Sequence, residues 1–385
     1  MNNSLKILFT GDIFIKNTFS TILSEELKAI VKSHQLAVCN FEGALETEGT
    51  KHIQKAGPHI KQNSRSSEIV IDEGFNIISL ANNHIYDYGD RALKNTLNSF
   101  DKVITIGAGV DFESAYKSKF FTENNTKTGF LSFCESEFGV LTDISQKRGG
   151  AAWINHHSVN DIIKEAKSQC DVLIVFVHAG IEQIEYPLPE WRQRFYELTD
   201  NGADAIIGCH VHVPQGWELY NGKPIFYSLG NFFFDMSVNH PYWNKGYCVS
   251  LNIQDKKIND FQIIPIAKKE NKVYLENNIT YKNHLDNLCK ILNSPNYIDN
   301  INKLSVELWE KRYKRYYIEA MGWMYYRFSW KDIFSVIKNK FLNKEFPITP
   351  VFSFNNSLIL HNIKIESHRW LVIRALTLLN KENDF

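Results

Sequence analysis

Five apolar, strand-like segments of this chain each end in a side chain that can bind a metal ion or transfer a proton. Stretches with helical spacing of apolar residues lie between them, so the sequence predicts alternating strands and helices. In alternating α/β sheets the ligand crevice lies beyond the carboxyl ends of the strands, and the five ends are expected to meet there. The residues at these ends are Asp12, Glu42, Asn83 with His84, His178, and His210 with His212.

The last of these ends carries two imidazoles, His210 and His212, shortly after the apolar run of residues 205–207. In an extended backbone, residues i and i+2 point the same way. Both rings can therefore face one point in space, which suits a metal ion better than a hydrophobic core. The upstream strand ends favour a different assignment, with the two histidines as ligands at adjacent positions: His210 beside Asn83 and His178, and His212 beside Asp12.

The donors at the five ends are a mixture of carboxylates, an amide and imidazoles, which excludes a cysteine-rich structural zinc site. The mixture suits one or two divalent ions (Mn, Fe or Zn), with Glu42 as the expected bridge and Asn83 as a neutral ligand. Two ions about 3.5–4 Å apart can activate a water and polarise a phosphoryl or acyl oxygen together. His84 is then free to act as an acid or to stabilise charge, with Asp87 orienting its imidazole.

Each residue also has an ordinary structural explanation when it is considered alone. Asp12 can cap a helix, Glu42 can be a solvated turn residue, and the histidines can be hydrogen-bonded within a core. Their joint occurrence at five strand ends favours a site. Glu182 and Asn231 are candidate substrate-binding residues, although Glu182 can equally be solvated and Asn231 can belong to a tight turn.

Composition narrows the class of protein. The 385 residues include 43 Lys plus Arg and 43 Asp plus Glu, so no global field attracts nucleic acid, which is not an expected partner. The six cysteines occur singly, and four lie in or beside strand-like runs, as buried thiols do in a reducing compartment. A disulfide interpretation stays open. With no signal-peptide pattern and no long apolar run, we expect a cytoplasmic location or a peripheral one at the cell envelope.

The C-terminal part differs in composition and in its pattern of apolar residues. We therefore predict a boundary near residue 278, which gives domains 1–278 and 279–385. Residues 304–337 have a helical pattern that is dense in aromatic residues and interleaved with Lys and Arg. A helical cap packed on the domain or on a partner subunit is the favoured interpretation. A peripheral membrane surface is the second, because Trp, Tyr and Lys suit such interfaces.

Several motifs of the chain resemble the capsule-synthesis CapA, or poly-γ-glutamate synthesis, family, which is related to the calcineurin-like metallophosphoesterases. The motifs are Thr-Gly-Asp at 10–12, Asn-Phe-Glu at 40–42, Leu-Ala-Asn-Asn-His at 80–84, Asp-Tyr-Gly at 87–89, Val-His-Ala-Gly-Ile-Glu at 177–182, Cys-His-Val-His at 209–212 and Tyr-Ser-Leu-Gly-Asn-Phe at 227–232.

The resemblance spans about residues 5–267 and implies an α/β fold: a metallophosphatase-like α/β/β/α sandwich with a C-terminal helical extension. It places His84 at the catalytic histidine of the phosphoesterases. It places the following residues at their metal-binding positions: Asp12, Glu42, Asn83, His178, His210 and His212. Two positions depart from that pattern. Phe14 stands where those enzymes carry a histidine, and Glu42 where they carry an aspartate, which implies that one metal is short of a ligand.

Two functions are compatible with these features. The first is a metal-dependent hydrolase or transferase in capsule or exopolymer biosynthesis, acting with a metal-activated water and His84 on a phosphoester or a γ-glutamyl amide. Its substrate would be a small molecule or a polymer. The second is a non-catalytic polymer-binding or assembly component that retains a degenerate metal site. In both cases the expected partners are capsule-synthesis proteins.

Overall fold

Two β-sheets that face each other form the centre of the molecule. The structure is a computed structural model that describes residues 4–321 and 354–383. The strands, numbered along the chain, are β1 Leu5–Phe14, β2 Leu36–Phe41, β3 Ile77–Ser79, β4 Ile104–Ile106, β5 Ala108–Gly109, β6 Lys119–Glu123, β7 Thr126–Cys134, β8 Val140–Leu141, β9 Gly150–Ala152, β10 Val172–His178, β11 Ala205–Cys209, β12 Trp217–Tyr220, β13 Lys223–Phe226, β14 Asn231–Phe234, β15 Lys245–Gln254, β16 Lys257–Lys269 and β17 Lys272–Leu275.

Helices cover the outer faces of the two sheets. In chain order they are α1 Glu25–Ser33, α2 Ser66–Glu73, α3 Gly89–Ser99, α4 Phe112–Ala115, α5 Val159–Ser168, α6 Pro189–Asp200, α7 Ile279–Leu292, α8 Tyr297–Leu308, a π-helical turn Trp309–Tyr313, α9 Lys314–Met321, α10 Asn356–Lys364 and α11 Glu366–Asn383.

The order of strands brings the polar strand ends to one side. The first sheet has the order β17-β16-β15-β1-β2-β3-β4, with β14 also paired to β1, and the second has the order β12-β13-β11-β10-β7-β6. Strands β1 to β4 are parallel to one another, as are β7, β10, β11 and β13. Parallel strands present their carboxyl ends at the same edge, so the ends of these strands lie together.

Apolar side chains from both sheets fill the space between them. Phe9 of β1 and Phe176 of β10 lie with ring centroids 6.5 Å apart across this interface. Val38, Ile77 and Ile207 belong to the same buried cluster. These strands are apolar on both faces because helices cover their outer sides, which is typical of parallel sheets.

A second and a third apolar cluster lie on the outer faces of the sheets. On the first sheet, Leu27 of α1 and Val70 of α2 pack against strand residues. On the second sheet, Ile163 of α5 and Leu198 of α6 do the same. The layers are therefore helix, sheet, sheet, helix, and the predicted α/β/β/α sandwich with a helical C-terminal extension is confirmed.

The C-terminal helices belong to the cluster on the second sheet. Tyr297, Tyr313 and Leu371 are buried there together with residues of α5 and α6. The aromatic residues 309–317 thus pack inward, whereas residues 322–337 of the aromatic-rich stretch lie outside the described residues. Among the helices of the described residues, none combines the length and apolarity needed to cross a bilayer.

Strand β1 is longer than the sequence pattern indicated. The apolar run ends at residue 9, but β1 continues through Asp12 to Phe14, because β14 pairs with these last residues. The stretch around Asn231, for which a tight turn was one explanation, is itself a strand. All six cysteines, which lie in the described part, are free thiols, and four of them are buried.

Candidate functional site

The predicted site residues converge at the carboxyl ends of the parallel strands, and the folded chain buries them. Asp12 lies in β1, Glu42 directly follows β2, and His178 is the last residue of β10. None of the predicted metal-binding residues, nor His84, is more than 7% exposed. Burying so many ionisable groups is costly unless they are paired or bind a metal.

Asp12 is the residue around which the others are arranged. Its Oδ1 accepts a hydrogen bond from Asn40 Nδ2 (2.8 Å), and its Oδ2 accepts one from the backbone N–H of His210 (3.1 Å). Its Oδ2 lies 3.4 Å from His212 Nδ1, and its Oδ1 lies 3.7 Å from His178 Nδ1. From its place in the first sheet, this carboxylate therefore contacts three candidate ligands at the strand ends of the second sheet.

Two glycines allow the backbones to approach one another closely beside this carboxylate. A Cβ atom on Gly11 would lie 1.7 Å from the carbonyl oxygen of Gly230. A Cβ atom on Gly208 would lie 2.0 Å from the carbonyl oxygen of Tyr227. Larger residues at positions 11 and 208 would push apart the segments that carry Asp12, His210 and Asn231.

The donor atoms form two compact groups that fit a divalent ion. One contains Asp12, His178 and Cys209, and the other contains Asp12, Glu42 and His212, with the atoms of each group within 4.8 Å of one another. Asp12 is the carboxylate that both groups share. The sequence had suggested Glu42 for this bridging role, but Glu42 belongs to one group only. Cys209 had not been expected in the site.

Glu42 gives the strongest indication that a cation binds at this site. Both of its carboxylate oxygens are buried and have no hydrogen-bond partner among the described residues. Burial raises the pKa of Glu42 to about 8, although His212, at 3.7 Å, opposes this rise. A buried carboxylate without donors is expensive, and a coordinated cation would remove the cost.

Asn83 and His178 contact each other, as expected for neighbours in a site. The Nε2 atom of His178 lies 3.0 Å from Asn83 Oδ1, and Asn83 Nδ2 donates to Glu137 (3.1 Å). Burial lowers the pKa of His178 well below its ordinary value, so its imidazole is neutral. A neutral imidazole is the form that binds a metal.

The two imidazoles of residues 210 and 212 do not share one extended backbone. His210 has a φ of 95° and His212 a φ of 62°, because β11 ends at Cys209 and the chain turns there. Their ring centroids lie 6.2 Å apart, whereas the rings of His210 and His178 lie 4.4 Å apart. The two rings do not face one point, since the alternation of a strand does not apply in a left-handed turn. His210 lies beside His178, and His212 Nδ1 lies 3.4 Å from Asp12 Oδ2, in agreement with the assignment of the two histidines to adjacent positions.

Aromatic side chains enclose the His212 side of the site. The ring of His212 lies 4.6 Å from that of Phe234 and 5.0 Å from that of Trp243. Phe14 belongs to the same apolar cluster. It stands at the position where the calcineurin-like phosphoesterases carry a histidine. Asn231, predicted to bind substrate, lies with its Oδ1 3.0 Å from His212 Nδ1.

His84 is held by a buried network. Its Nδ1 lies 2.6 Å from Asp87 Oδ2, which also accepts the backbone N–H of Ile60 (3.0 Å). Lys55 forms an ion pair with the other oxygen of Asp87. Burial lowers the pKa of His84. Its Nδ1 contacts Asp87, so Nε2 is the ring nitrogen that this carboxylate does not occupy. The expected pairing of Asp87 with His84 is present.

The site contains two further carboxylates, which were not among the predicted site residues. Glu135 Oε1 lies 3.3 Å from His210 Nε2, and Glu137 Oε1 lies 3.8 Å from the same atom. Burial lowers the pKa of His210, but the hydrogen bond and charge of Glu135 raise it to about 10. Glu135 directly follows β7, so the rule that revealed the other strand ends could have revealed it.

A cavity of about 260 Å³ opens beside these groups. His84, Asn83, Glu137, Glu182 and His210 line one side. Residues from the C-terminal helices line the other, which sequence reasoning did not foresee. These residues are Arg312, Tyr316, Leu358, His361, Ile365 and His368.

The fold and the site together define an α/β/β/α sandwich with a candidate metal site, made of carboxylate, amide and imidazole groups, at the ends of its parallel strands. Residues 6–236 match the family described as bacterial capsule synthesis protein PGA_cap, and the chain belongs to this family.

Two relatives have names that agree with this assignment. The PGA biosynthesis protein CapA of Bacillus subtilis is 30% identical over 68% of this chain and 71% of that protein. The capsule biosynthesis protein CapA of Bacillus anthracis is 27% identical over 70% of this chain and 69% of that protein.

Among solved structures, a putative 5'-nucleotidase from Staphylococcus aureus aligns with a TM-score of 0.44 at 13% identity. The alignment covers 74% of this chain and 58% of that one.

The family match and the two relatives confirm the resemblance to the CapA family that the sequence motifs indicated.

Proposed function

We propose that this chain is a metal-dependent hydrolase or transferase that acts in the synthesis of a capsule or exopolymer. The observation that carries the proposal is the buried carboxylate of Glu42, which lies within reach of Asp12 and His212 and to which none of the described residues donates a hydrogen bond. A purely structural carboxylate in this position would be expected to have donors.

The residues that would hold one or two divalent ions are those of the two donor groups, with Asn83 and His210 beside them. Mn, Fe and Zn suit such a mixture of oxygen and nitrogen donors. The metal, when bound, would polarise a substrate oxygen and make a water nucleophilic at neutral pH.

His84 would exchange a proton with the substrate at Nε2, because Asp87 holds Nδ1 and fixes the orientation of the ring. Lys55 keeps Asp87 charged and in place from the opposite side. The burial of this network excludes water from the proton-transferring ring. Glu182 lines the same cavity, and its half-buried carboxylate is available for contact with substrate.

A phosphoester and a γ-glutamyl amide are the two substrate classes that we propose for this site. Both reactions need a polarised oxygen, a water and a proton donor for the leaving group. Capsule-synthesis proteins are the proposed partners, and a polymer chain or its precursor is the proposed substrate.

The test combines metal analysis with an activity panel on the purified protein. The panel would contain phosphomonoesters, phosphodiesters and γ-glutamyl peptides, each assayed with Mn²⁺, Fe²⁺ or Zn²⁺. Metal-dependent turnover of one class supports the proposal. The proposal is contradicted if the protein binds metal but turns over no substrate of the panel, and if replacing His84 does not impair the function of the protein.

A non-catalytic assembly or polymer-binding role is the second candidate, and one observation favours it. The aromatic ring of Phe14 occupies the position at which related enzymes carry a histidine. The Phe14→His variant distinguishes the two roles. Increased metal content and new turnover in this variant, with none in the wild type, would favour the assembly role for the natural protein.

A further inference from the structure

The C-terminal helices lie beyond residues 6–236, which define the family, yet they are fixed directly onto the site. Helix α11 spans 18 residues and begins at Glu366. In its first turn, Ser367 donates its backbone N–H and its hydroxyl to Glu135, each at 2.8 Å. Glu135 is the same carboxylate that lies 3.3 Å from His210. The site and the start of this helix therefore share one buried acid.

A second buried carboxylate anchors the helix from the other direction. Glu366 accepts hydrogen bonds from the backbone N–H of Ser136 (2.8 Å), Trp153 Nε1 (2.8 Å) and Asn155 Nδ2 (3.2 Å). These partners belong to the sandwich. Hydrogen bonds to a buried charged group are among the stronger ones in proteins. The helices that line the cavity are consequently held in a fixed position relative to His84.

Arg312 is the cationic group that these helices bring to the cavity. It lies in the π-helical turn, and its side chain is 29% exposed, so a ligand in the cavity can reach it. Its Nη2 forms a loose ion pair with Glu182 at 3.9 Å, longer than a hydrogen bond, and its guanidinium carbon lies 5.4 Å from the centroid of the Tyr313 ring. Lys55, also in the cavity wall, is held more tightly, because its ion pair with Asp87 is buried.

His361 and His368 stand beside Arg312 in the same wall. Burial lowers the pKa of both rings, which favours their neutral forms. Neutral imidazoles can donate hydrogen bonds without a competing charge. A guanidinium with neutral donors around it is suited to the planar, bidentate recognition of an oxyanion.

We propose that Arg312 binds an oxyanion of the substrate, a carboxylate or a phosphoryl group, and thereby makes the C-terminal helices part of the substrate site. The inference rests on the proposed function, since it takes the cavity beside His84 as the place where substrate binds. It goes further by assigning the specificity for a negatively charged group to a segment outside the family-defining residues.

The experiment measures binding by calorimetry on the full chain in the presence of Mn²⁺. Inorganic phosphate and glutarate are used as separate probes. The variants are Arg312→Gln and the matched control Arg315→Gln, whose side chain is 79% exposed and pairs with Glu319. We expect at least one probe to bind about tenfold or more weakly to Arg312→Gln, as for a lost hydrogen bond to a charged group, and equally to Arg315→Gln.

The two probes distinguish the source of the oxyanion. Dependence on Arg312 for phosphate alone indicates a phosphoester, and dependence for glutarate alone indicates a carboxylate substrate. The inference is overturned if Arg312→Gln binds both probes like the wild type, or if the wild type binds neither. Should Arg312→Gln fail to fold, Arg312→Lys replaces it, because lysine keeps the charge but loses the bidentate fork. Wild-type binding by that variant would also overturn the inference.

Failure of the inference and failure of the proposed function give different results. Turnover that depends on His84 but not on Arg312 would refute the inference and leave the function. Binding that depends on Arg312, in a protein that turns over no substrate of the panel, would support the inference and refute the enzymatic function.

Discussion

Asp87 Oδ2 lies 2.6 Å from His84 Nδ1, and the ion pair of Asp87 with Lys55 is buried beneath the cavity. We predict that Asp87→Asn reduces turnover on the order of 100-fold, because an amide holds the imidazole less firmly and does not stabilise its charged form. Metal content should stay at the wild-type level. The exposed Asp101→Asn is the matched control, and equal turnover of the two variants would remove Asp87 from the mechanism.

Metal binding should stabilise the protein through Glu42. Mn²⁺ at about a hundredfold above its Kd should add about 2.7 kcal/mol to the free energy of unfolding, which thermal melting detects as a higher Tm. Glu42→Gln should lose most of this gain, since an amide replaces the buried unpartnered carboxylate. Glu48→Gln, at an exposed position, should retain it. A full metal-induced rise in the Tm of Glu42→Gln would show that this residue is not a ligand.

The anchoring of the C-terminal helices should be measurable as stability. Glu366→Ala leaves three donors of the sandwich without their acceptor and should lower the free energy of unfolding by about 3 kcal/mol. Glu310→Ala removes only the exposed ion pair with Lys314 and should cost about 0.5 kcal/mol or less. Chemical denaturation compares the two variants, and a similar small loss for both would mean that Glu366 does not hold the helix.

His368 should make stability depend on pH. Burial lowers its pKa from 6.5 to about 3, so between these values the unfolded state binds a proton that the folded state does not. Its contribution is present above pH 6.5 and is lost as the pH falls towards 3, by up to about 1.4 kcal/mol for each pH unit. His368→Asn should flatten the decline of Tm between pH 6.5 and 5 relative to the wild type. An unchanged slope would contradict the prediction.

Much of the sandwich and the centre of the site could be predicted from the sequence, for a physical reason. Asp12, Glu42 and His178 each follow a run of apolar residues, and the carboxyl ends of parallel strands meet at one edge. Glu135 obeys the same rule, because it directly follows β7, although it was not among the predicted site residues. The local signal was present there.

Other features depend on contacts that no local pattern carries. The left-handed φ values of His210 and His212 belong to the turn that follows β11, and the apolar pattern of the strand does not reveal them. Arg312 lies 130 positions from Glu182 in sequence, and only the packing of the C-terminal helices brings their side chains to 3.9 Å. Long-range packing of this kind decides which residues complete a pocket, and neither periodicity nor residue type reveals it.

The central claim is that the buried donors hold a metal and that His84 performs the chemistry beside it. The most direct test measures metal content and metal-dependent turnover together, in the wild type, in His84→Ala and in the exposed control His52→Gln. We predict that His84→Ala keeps the metal content of the wild type and loses at least about 100-fold in turnover, while His52→Gln changes neither. Equal loss of metal and turnover in His84→Ala, or a metal-replete wild type that is inert towards every substrate class, would contradict the claim.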